Sequence, residues 1–345
     1  MTLRPRTVYL LLIATWLLVA AASLLVGTTG AGWSANWQMA VRKSPDAPTG
    51  DFLRNLAELP LPRLALGTIA GAALAMAGAM FQALFRNPLA SPYTLGISSG
   101  ASLGAATVIL LAGGGMWYGL PLISLAAFAG ALACVLIVYA VAHMSRGTSV
   151  ATLLLTGITI GFLCSALIVL VMYFANQYDL GAILRWMMGS LEVVGMDAAY
   201  EALVVFVLAA GVAAWLHRDL DLLMMGEVVA ASRGVSVRQS RRWAYFAASL
   251  LTAGVVAHCG PIGFVGLIIP HLMRFIVGPT HRFLLPGCAL AGAAFLPLCD
   301  LLARNAMWWI RHESRQIPVG VLTNLLGGAF FLYVLLSRKE DRPIV

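Results

Sequence analysis

Charged residues are scarce in this chain. Asp, Glu, Lys and Arg together make up 10% of its 345 residues, whereas 61% are hydrophobic, and the mean hydropathy is +0.89. A soluble domain is roughly 45–50% apolar, so this composition excludes a soluble globular protein. Apolar runs of about 20 residues, the length that crosses a bilayer, recur from end to end. The sequence therefore predicts one transmembrane domain over residues 1–345, all-α and polytopic.

Lysine is nearly absent, and this excludes ATP hydrolysis by the chain itself. A P-loop needs a lysine directly after its glycines to reach the phosphates of ATP. The only lysines are Lys43 and Lys339, and neither follows a glycine. No H-E-x-x-H motif is present either. We therefore expect a chain without catalytic residues and without a bound cofactor, so any ATPase that drives it must be another polypeptide.

Carboxylates are almost missing from the apolar runs. Ion-coupled carriers place ionisable residues inside the membrane, where each costs at least ~2.5–3.5 kcal/mol and tends to mark function. Only Glu201 and Asp300 fall inside the runs, each near an end. Arg304 follows Asp300 by four residues, so an ion pair within one helix is predicted. A secondary carrier or channel is thereby disfavoured but stays an alternative, as does a membrane enzyme or assembly factor.

The cysteines show no metal-binding or redox spacing. All five lie in or beside apolar segments without a C-x-x-C motif, which predicts small buried side chains with neither disulfides nor a metal site. They are Cys134, Cys164, Cys259, Cys288 and Cys299. His258, beside Cys259, is predicted to be a core residue at a helix end and not a metal ligand.

Ten apolar runs predict ten membrane-spanning helices, because backbone groups in lipid must form their hydrogen bonds internally. The runs are about 8–27, 62–84, 94–112, 119–142, 149–175, 197–216, 242–258, 263–277, 283–302 and 318–337. An even number puts both termini on one side. That side carries 14 Lys and Arg residues against 8 on the other, so both termini are predicted to be cytoplasmic. The net charge of +8 then reflects this topology and anionic lipid, and no nucleic-acid partner is expected.

Small residues recur at helical spacing in two of the runs. Gly67 and Gly71 are four residues apart in the second run, and Gly96, Gly100 and Gly104 follow the same step in the third. Small residues on one helix face let backbones approach closely in lipid. We expect these glycines to be packing positions inside the helix bundle.

Several ordered stretches resemble the FecCD family, the membrane subunits of ATP-binding-cassette (ABC) importers for ferric siderophores, haem and cobalamin. They begin with "LPRLALGTIAGAALAMAGAMFQALFRNPLASPYTLGISSGASLGA". The resembling stretches are residues 61–105, 153–167, 184–191, 226–237, 260–304 and 317–336. Together they cover nearly the whole chain, and the family's ten-span subunit agrees with the count above.

The resemblance implies a set of partners and a cargo. It implies a homodimer with one pore on its two-fold axis, two cytoplasmic ABC ATPase subunits that carry the ATP and Mg, and a substrate-binding protein that docks from outside. The location implied is the bacterial cytoplasmic (inner) membrane. The cargo implied is an iron chelate, either haem or a ferric siderophore, with cobalamin as the alternative.

The resemblance also assigns the loop at about 217–242 to coupling with the ATPase. In the family this element consists of short helices that sit in a cleft of each ATPase. Gly226 and Gly234 fit as helix breakers or caps, and Glu227 and Arg233 are available for contacts with the ATPase. A solvated loop could carry the same charges without any partner.

Family members dock the binding protein through outward-facing arginines. Arg63 matches the arginine at the start of the second span, and Arg304 matches the one that ends the ninth. Many relatives read R-L-P-R where this chain has Pro60 as the first residue, so one docking charge is absent or is supplied by Arg54. The alternative for Arg63 is an interfacial arginine whose stem lies along the apolar surface.

The turn "FRNPLASPY" follows the second span. A residue before proline avoids the α region, so Asn87–Pro88 is predicted to end a helix. In the family this turn lies near the inner mouth of the pore. Asn87 and Leu89, with Ser149 and Thr152 at the start of the fifth span, are therefore candidate cytoplasmic gate residues; a purely structural turn is the alternative.

Overall fold

The computed structural model describes residues 5–26, 60–113, 115–117, 120–144, 150–193, 195–312 and 315–337. Within these ranges the chain forms thirteen α-helices, a short 3-10 helix at Pro92–Leu95, and one antiparallel pair of two-residue strands, β1 (Met116–Trp117) and β2 (Leu120–Pro121). The helices are α1 (Pro5–Val26), α2 (Pro60–Phe85), α3 (Ile97–Ala112), α4 (Leu122–Met144), α5 (Val150–Phe174), α6 (Gln177–Met187), α7 (Asp197–Trp215), α8 (His217–Met224), α9 (Glu227–Ser232), α10 (Val237–Cys259), α11 (Val265–Val277), α12 (His281–Arg311) and α13 (Val319–Ser337).

Each of the ten apolar runs coincides with one helix. Six helices of the described part are long and apolar enough to cross a membrane: α1, α2, α4, α5, α7 and α12. Three shorter apolar helices cover residues 97–112, 265–277 and 319–334. The prediction of an all-α, polytopic membrane protein is confirmed, whereas the count of ten spans stays a prediction.

Helix α2 forms the centre of the bundle. It packs against α12, α10, α11 and α7, and nearly all of its side chains are buried. Small residues make this possible, because a Cβ atom at Gly71 would overlap the carbonyl oxygen of Gly292 in α12. At Gly78 a Cβ would overlap the carbonyl oxygen of Gly266 in α11. The backbones of three helices therefore meet with almost no side chain between them.

The glycines predicted as packing positions lie where neighbouring segments approach closely. A Cβ added at Gly67 would lie 3.0 Å from Cδ1 of Leu191. A Cβ at Gly100 would overlap Gly130 of α4, and one at Gly104 would overlap Ala126. Both Gly100 and Gly104 thus let α3 and α4 approach closely.

The third run begins later than the sequence predicts. Its helix starts at Ile97, after the 3-10 turn, and Gly96 joins the two with a φ of +74°. This left-handed conformation is one that glycine adopts without a steric penalty. Gly96 therefore ends the turn and does not belong to the helix; it lies beside Gly157 and Gly161 of α5.

On the side opposite the termini, one helix is longer than predicted and a second helix was not predicted. Helix α12 continues through Arg304 to Arg311, whereas the apolar run ends at 302. Residues 303–311 add polar and aromatic side chains to the helix, and hydropathy does not mark them as part of a span. Helix α6 lies within the connection between the fifth and sixth runs. Asn176 caps it, since its side chain accepts hydrogen bonds from the backbone N–H groups of Tyr178 and Asp179 at 2.9 Å.

Candidate functional sites at the two ends of the helix bundle

The segment between α7 and α10 folds as two short helices, α8 and α9. Gly226 separates them with a φ of +116°, and Gly234 follows α9 with a φ of +83°. Both values lie where a side chain would be strained, so these glycines are required by the turns they form. The sequence places its two helix breakers correctly, and the loop near 217–242 has the short-helix form that the resemblance implies.

Helix α8 is bound to the rest of the bundle along one face. The Asp221 carboxylate accepts hydrogen bonds from the backbone N–H of His281 at 2.8 Å and from its Nδ1 at 2.6 Å. Asp219 accepts a hydrogen bond from Ser240 Oγ at 2.5 Å. Leu220 and Leu223 of the same helix are buried. The helix is therefore fixed to both α12 and α10.

Helix α9 presents apolar side chains outward. Val228 is 83% exposed and Met225, just before the helix, is 68% exposed. Glu227 forms an ion pair with Arg241 of α10, and its carboxylate lies 4.0 Å from Arg86. Arg233 is exposed at the C-terminal end of α9. An apolar patch with charged neighbours is typical of a surface that binds another protein.

The turn after α2 lies beside this segment. Arg86 has a φ of +48°, and the Asn87 side chain accepts a hydrogen bond from the backbone N–H of Leu89 at 2.9 Å. Leu89 is 55% exposed. Thr152 lies in the first turn of α5 and is half-buried, whereas Ser149 lies outside the described residues. The gate role of these four residues stays a prediction.

Arg63, Asp300 and Arg304 form a buried cluster at the other end of the bundle. Asp300 Oδ1 lies 2.7 Å from Nη2 of Arg63, and Oδ2 lies 2.9 Å from its Nε. Arg304 Nε lies 3.5 Å from Asp300 Oδ2, and its Nη2 donates to Ser23 Oγ at 2.8 Å. Gln316 accepts a hydrogen bond from Arg63 Nη1 at 2.8 Å. One carboxylate thus bridges two guanidinium groups.

Two expectations from the sequence concern the residues of this cluster. The pair within α12, Asp300 with Arg304, exists but is the longer of two contacts; the closer one joins α12 to Arg63 of α2. Arg63 is 6% exposed and Arg304 is 2% exposed. Neither guanidinium faces outward in this conformation, the docking role of both stays a prediction, and Arg54 lies outside the described residues.

A cavity of about 310 Å³ opens near the same end, between α3, α6 and the end of α10. Its lining includes Asp179, Arg185, Trp186, Glu192, His258 and Cys259. His258 Nε2 lies 3.4 Å from the Glu201 carboxylate. His258 also borders a second cavity of about 250 Å³. Within the described residues no three His, Cys, Asp or Glu side chains are grouped so that they could hold a metal ion.

Comparison with known proteins identifies the family. The sequence model of the FecCD transport family matches residues 11–337. The chain belongs to the FecCD transport family. It is 35% identical over 350 residues to the hemin transport system permease protein of Yersinia pestis, an alignment that covers 98% of each chain.

Two further relatives support this assignment. The cobalamin import system permease protein of Halobacterium salinarum is 40% identical over 279 residues, which cover 81% of this chain and 72% of the relative. A solved structure of a metal-chelate type ABC transporter in an inward-facing conformation matches with a TM-score of 0.82 and 28% identity, covering 96% of this chain and 99% of the other. The FecCD chain is thus a multi-pass membrane protein and a permease subunit of an ABC importer.

Two site contacts were not predicted from the sequence. Asp221 and His281 are 60 residues apart in the chain, and no sequence motif links the two segments. Arg63 and Asp300 are 237 residues apart. Only the scarcity of carboxylates pointed to Asp300, and it did not indicate the partner on α2.

Proposed function

We propose that this FecCD chain moves an iron chelate, haem or a ferric siderophore, into the bacterial cytoplasm through a pore between two copies of itself. Separate ATPase subunits, which carry the ATP and Mg, supply the energy, and an external binding protein delivers the cargo. The chain binds no cofactor and resides in the cytoplasmic membrane. The observation that carries the proposal is the exposed apolar surface of α9. This helix follows α8, which is fixed to α10 and α12.

The surface of α9 suits an ATPase partner. Val228 and Met225 are exposed on a segment that we expect to lie in water, where an unpartnered apolar patch is costly. Glu227 and Arg233 at the two ends of α9 provide charges at its edge. Contact with an ATPase would cover the apolar side chains, and the bonds of Asp221 would pass movement of α8 into the membrane domain.

A second copy of the chain would cover apolar surface inside the membrane. Helix α5 leaves many large apolar side chains exposed along its length, among them Leu155, Phe162 and Tyr173. Lipid or a partner subunit can cover such a surface equally well. The homodimer therefore rests on the family resemblance and is tested by the molecular mass of the purified complex in lipid nanodiscs.

Cobalamin is the second candidate cargo. The favouring observation is the 40% identity to a relative whose name assigns it to cobalamin import. The relative named for hemin covers almost the whole chain at lower identity. Haem and cobalamin are both large chelates, and uptake assays with each of them distinguish the two cargoes.

Uptake into proteoliposomes tests the proposal. The chain is reconstituted with its ATPase, and the cognate binding protein is loaded in turn with haem, a ferric siderophore or cobalamin. We expect ATP-dependent accumulation of one chelate and none with a non-hydrolysable ATP analogue. Accumulation driven by a proton gradient, with the chain alone in the membrane, would instead establish a secondary carrier.

A further inference from the structure

We infer that the contact between Asp221 and His281 is the joint through which α8 moves α12. Both are then positioning residues for transport, because neither needs to touch the cargo or the ATP. The inference rests on the proposed contact between the α8–α9 segment and an ATPase. It adds the path that movement takes from there into the membrane domain.

Asp221 acts as the missing cap of α12. The first N–H groups of a helix have no partner within the helix and need one from elsewhere. Thr280 occupies the N-cap position of α12, but its side chain makes no capping hydrogen bond. Asp221 of α8 accepts the hydrogen bond from the backbone N–H of His281, the first residue of α12. A carboxylate at this position also interacts favourably with the helix dipole.

The imidazole of His281 strengthens the joint. A carboxylate can only accept, so Nδ1 carries the hydrogen and donates it to the same oxygen of Asp221. The His281 side chain is fully buried, and its Nε2 has no hydrogen-bond partner. Losing Asp221 would leave two buried donors unsatisfied, which is costly. The middle of α8 and the start of α12 are therefore held together by two hydrogen bonds to one oxygen atom.

Helix α12 carries the movement across the bundle. It runs unbroken for 31 residues, with Pro286 and Pro297 inside it, a length of about 46 Å at 1.5 Å per residue. Near its other end lie Asp300 and Arg304, which are bound to Arg63 of α2 and Ser23 of α1. A shift of α8 would thus reach the buried cluster on the opposite side through one continuous helix.

The experiment compares three variants in the complete complex of permease and ATPase. Asp221→Ala removes both hydrogen bonds of the joint. Asp221→Asn keeps an amide oxygen that can accept both. Tyr9→Phe is the matched control, since it removes the 2.8 Å hydrogen bond from α1 to the Phe283 carbonyl in the same turn of α12 without touching α8.

Three quantities are measured for each variant: ATPase copurification, the ATP hydrolysis rate, and the ATP-induced signal of a fluorophore on Leu302→Cys, an exposed position of α12. For Asp221→Ala we expect copurification and hydrolysis within about two-fold of the unaltered complex, but at least a ten-fold smaller fluorophore signal. Asp221→Asn should recover at least half of the signal, and Tyr9→Phe should keep it.

Several results would overturn the inference. One is an unchanged signal in Asp221→Ala, and another is a signal and hydrolysis rate that fall together. A third is the absence of any ATP-induced signal in the unaltered complex. The fluorophore needs no cargo, so these outcomes are separate from a failed uptake assay. Loss of ATPase binding by the unaltered chain would refute the proposed function itself.

Discussion

Asp300 Oδ1 lies 2.7 Å from Nη2 of Arg63, although the two residues are 237 positions apart in the chain. Both side chains are buried, and Arg304 shares the same carboxylate at 3.5 Å. Removing one partner of a buried ion pair leaves an uncompensated charge, which is strongly destabilising. Within the described ranges Asp300 is the carboxylate that these two arginines share, so the cluster depends more on it than on either arginine.

Asp300→Ala should therefore destabilise the protein more than Arg63→Met. Loss of the carboxylate removes the negative charge that both buried guanidinium groups contact, and we expect a cost of about 3–5 kcal/mol. Arg63→Met leaves Asp300 with Arg304 and should cost less. Thermal unfolding in detergent measures the difference, with exposed Glu192→Gln as the control. Equal losses for Asp300→Ala and Arg63→Met would contradict the asymmetry.

Gly71→Ala should destabilise the contact between α2 and α12. The added methyl group would overlap the carbonyl oxygen of Gly292, and such overpacking costs about 1–3 kcal/mol. Gly211→Ala is the matched control, because nothing lies within 4 Å of its added Cβ. In that open helical position alanine is favoured over glycine by up to about 1 kcal/mol. The two unfolding midpoints should move in opposite directions, and a shared direction would disprove the close approach.

Cys134 and Cys164 should form a disulfide under oxidation. Their Sγ atoms are 3.5 Å apart across α4 and α5, and a disulfide brings the two atoms to about 2.05 Å. A membrane-permeant copper–phenanthroline oxidant would take up the two electrons, and two protons leave the thiols. Mass spectrometry of unreduced peptides should find residues 134 and 164 joined, and Cys164→Ser should abolish that species. A link from Cys134 to any other cysteine would contradict this packing of α4 on α5.

Val228→Glu should weaken binding of the ATPase. The substitution places a charge in the centre of the exposed apolar surface of α9, and a buried unpaired charge is costly at an interface. We expect at least a ten-fold loss of ATPase affinity in detergent, measured by surface plasmon resonance. Met144→Glu makes the same kind of change at an exposed residue ending α4 and should have little effect. If both variants bind normally, α9 is not the contact surface.

The sequence predicted the elements that hydropathy controls. Every apolar run became a helix, because spans in lipid must pair their backbone groups internally. Gly226 and Gly234 were predicted as helix breakers or caps within the loop for which the family resemblance implied short helices. Boundaries failed where hydropathy carries no signal: α12 continues to Arg311 through polar residues, and α3 begins only after the turn that Gly96 ends.

Contacts between distant residues could not be predicted in this way. Asp221 and His281 each suit a solvated loop when the sequence is considered alone, and only the fold places the carboxylate over the start of α12. The docking prediction for Arg63 and Arg304 followed from the resemblance to the family and stays a prediction. It could not anticipate that the carboxylate of Asp300 would hold both arginines inside the bundle.

The enclosure of α2 limits where cargo can travel. Because its neighbours α7, α10, α11 and α12 surround it and nearly all its side chains are buried, α2 has no free face to offer a passing chelate. We expect a permeation route along this chain to be walled by helices with exposed faces, among them α5, whose Leu155, Phe162 and Tyr173 are exposed. The surface of α2 is thus committed to packing inside the bundle, whereas helices at the periphery keep apolar side chains open to lipid, cargo or a second subunit.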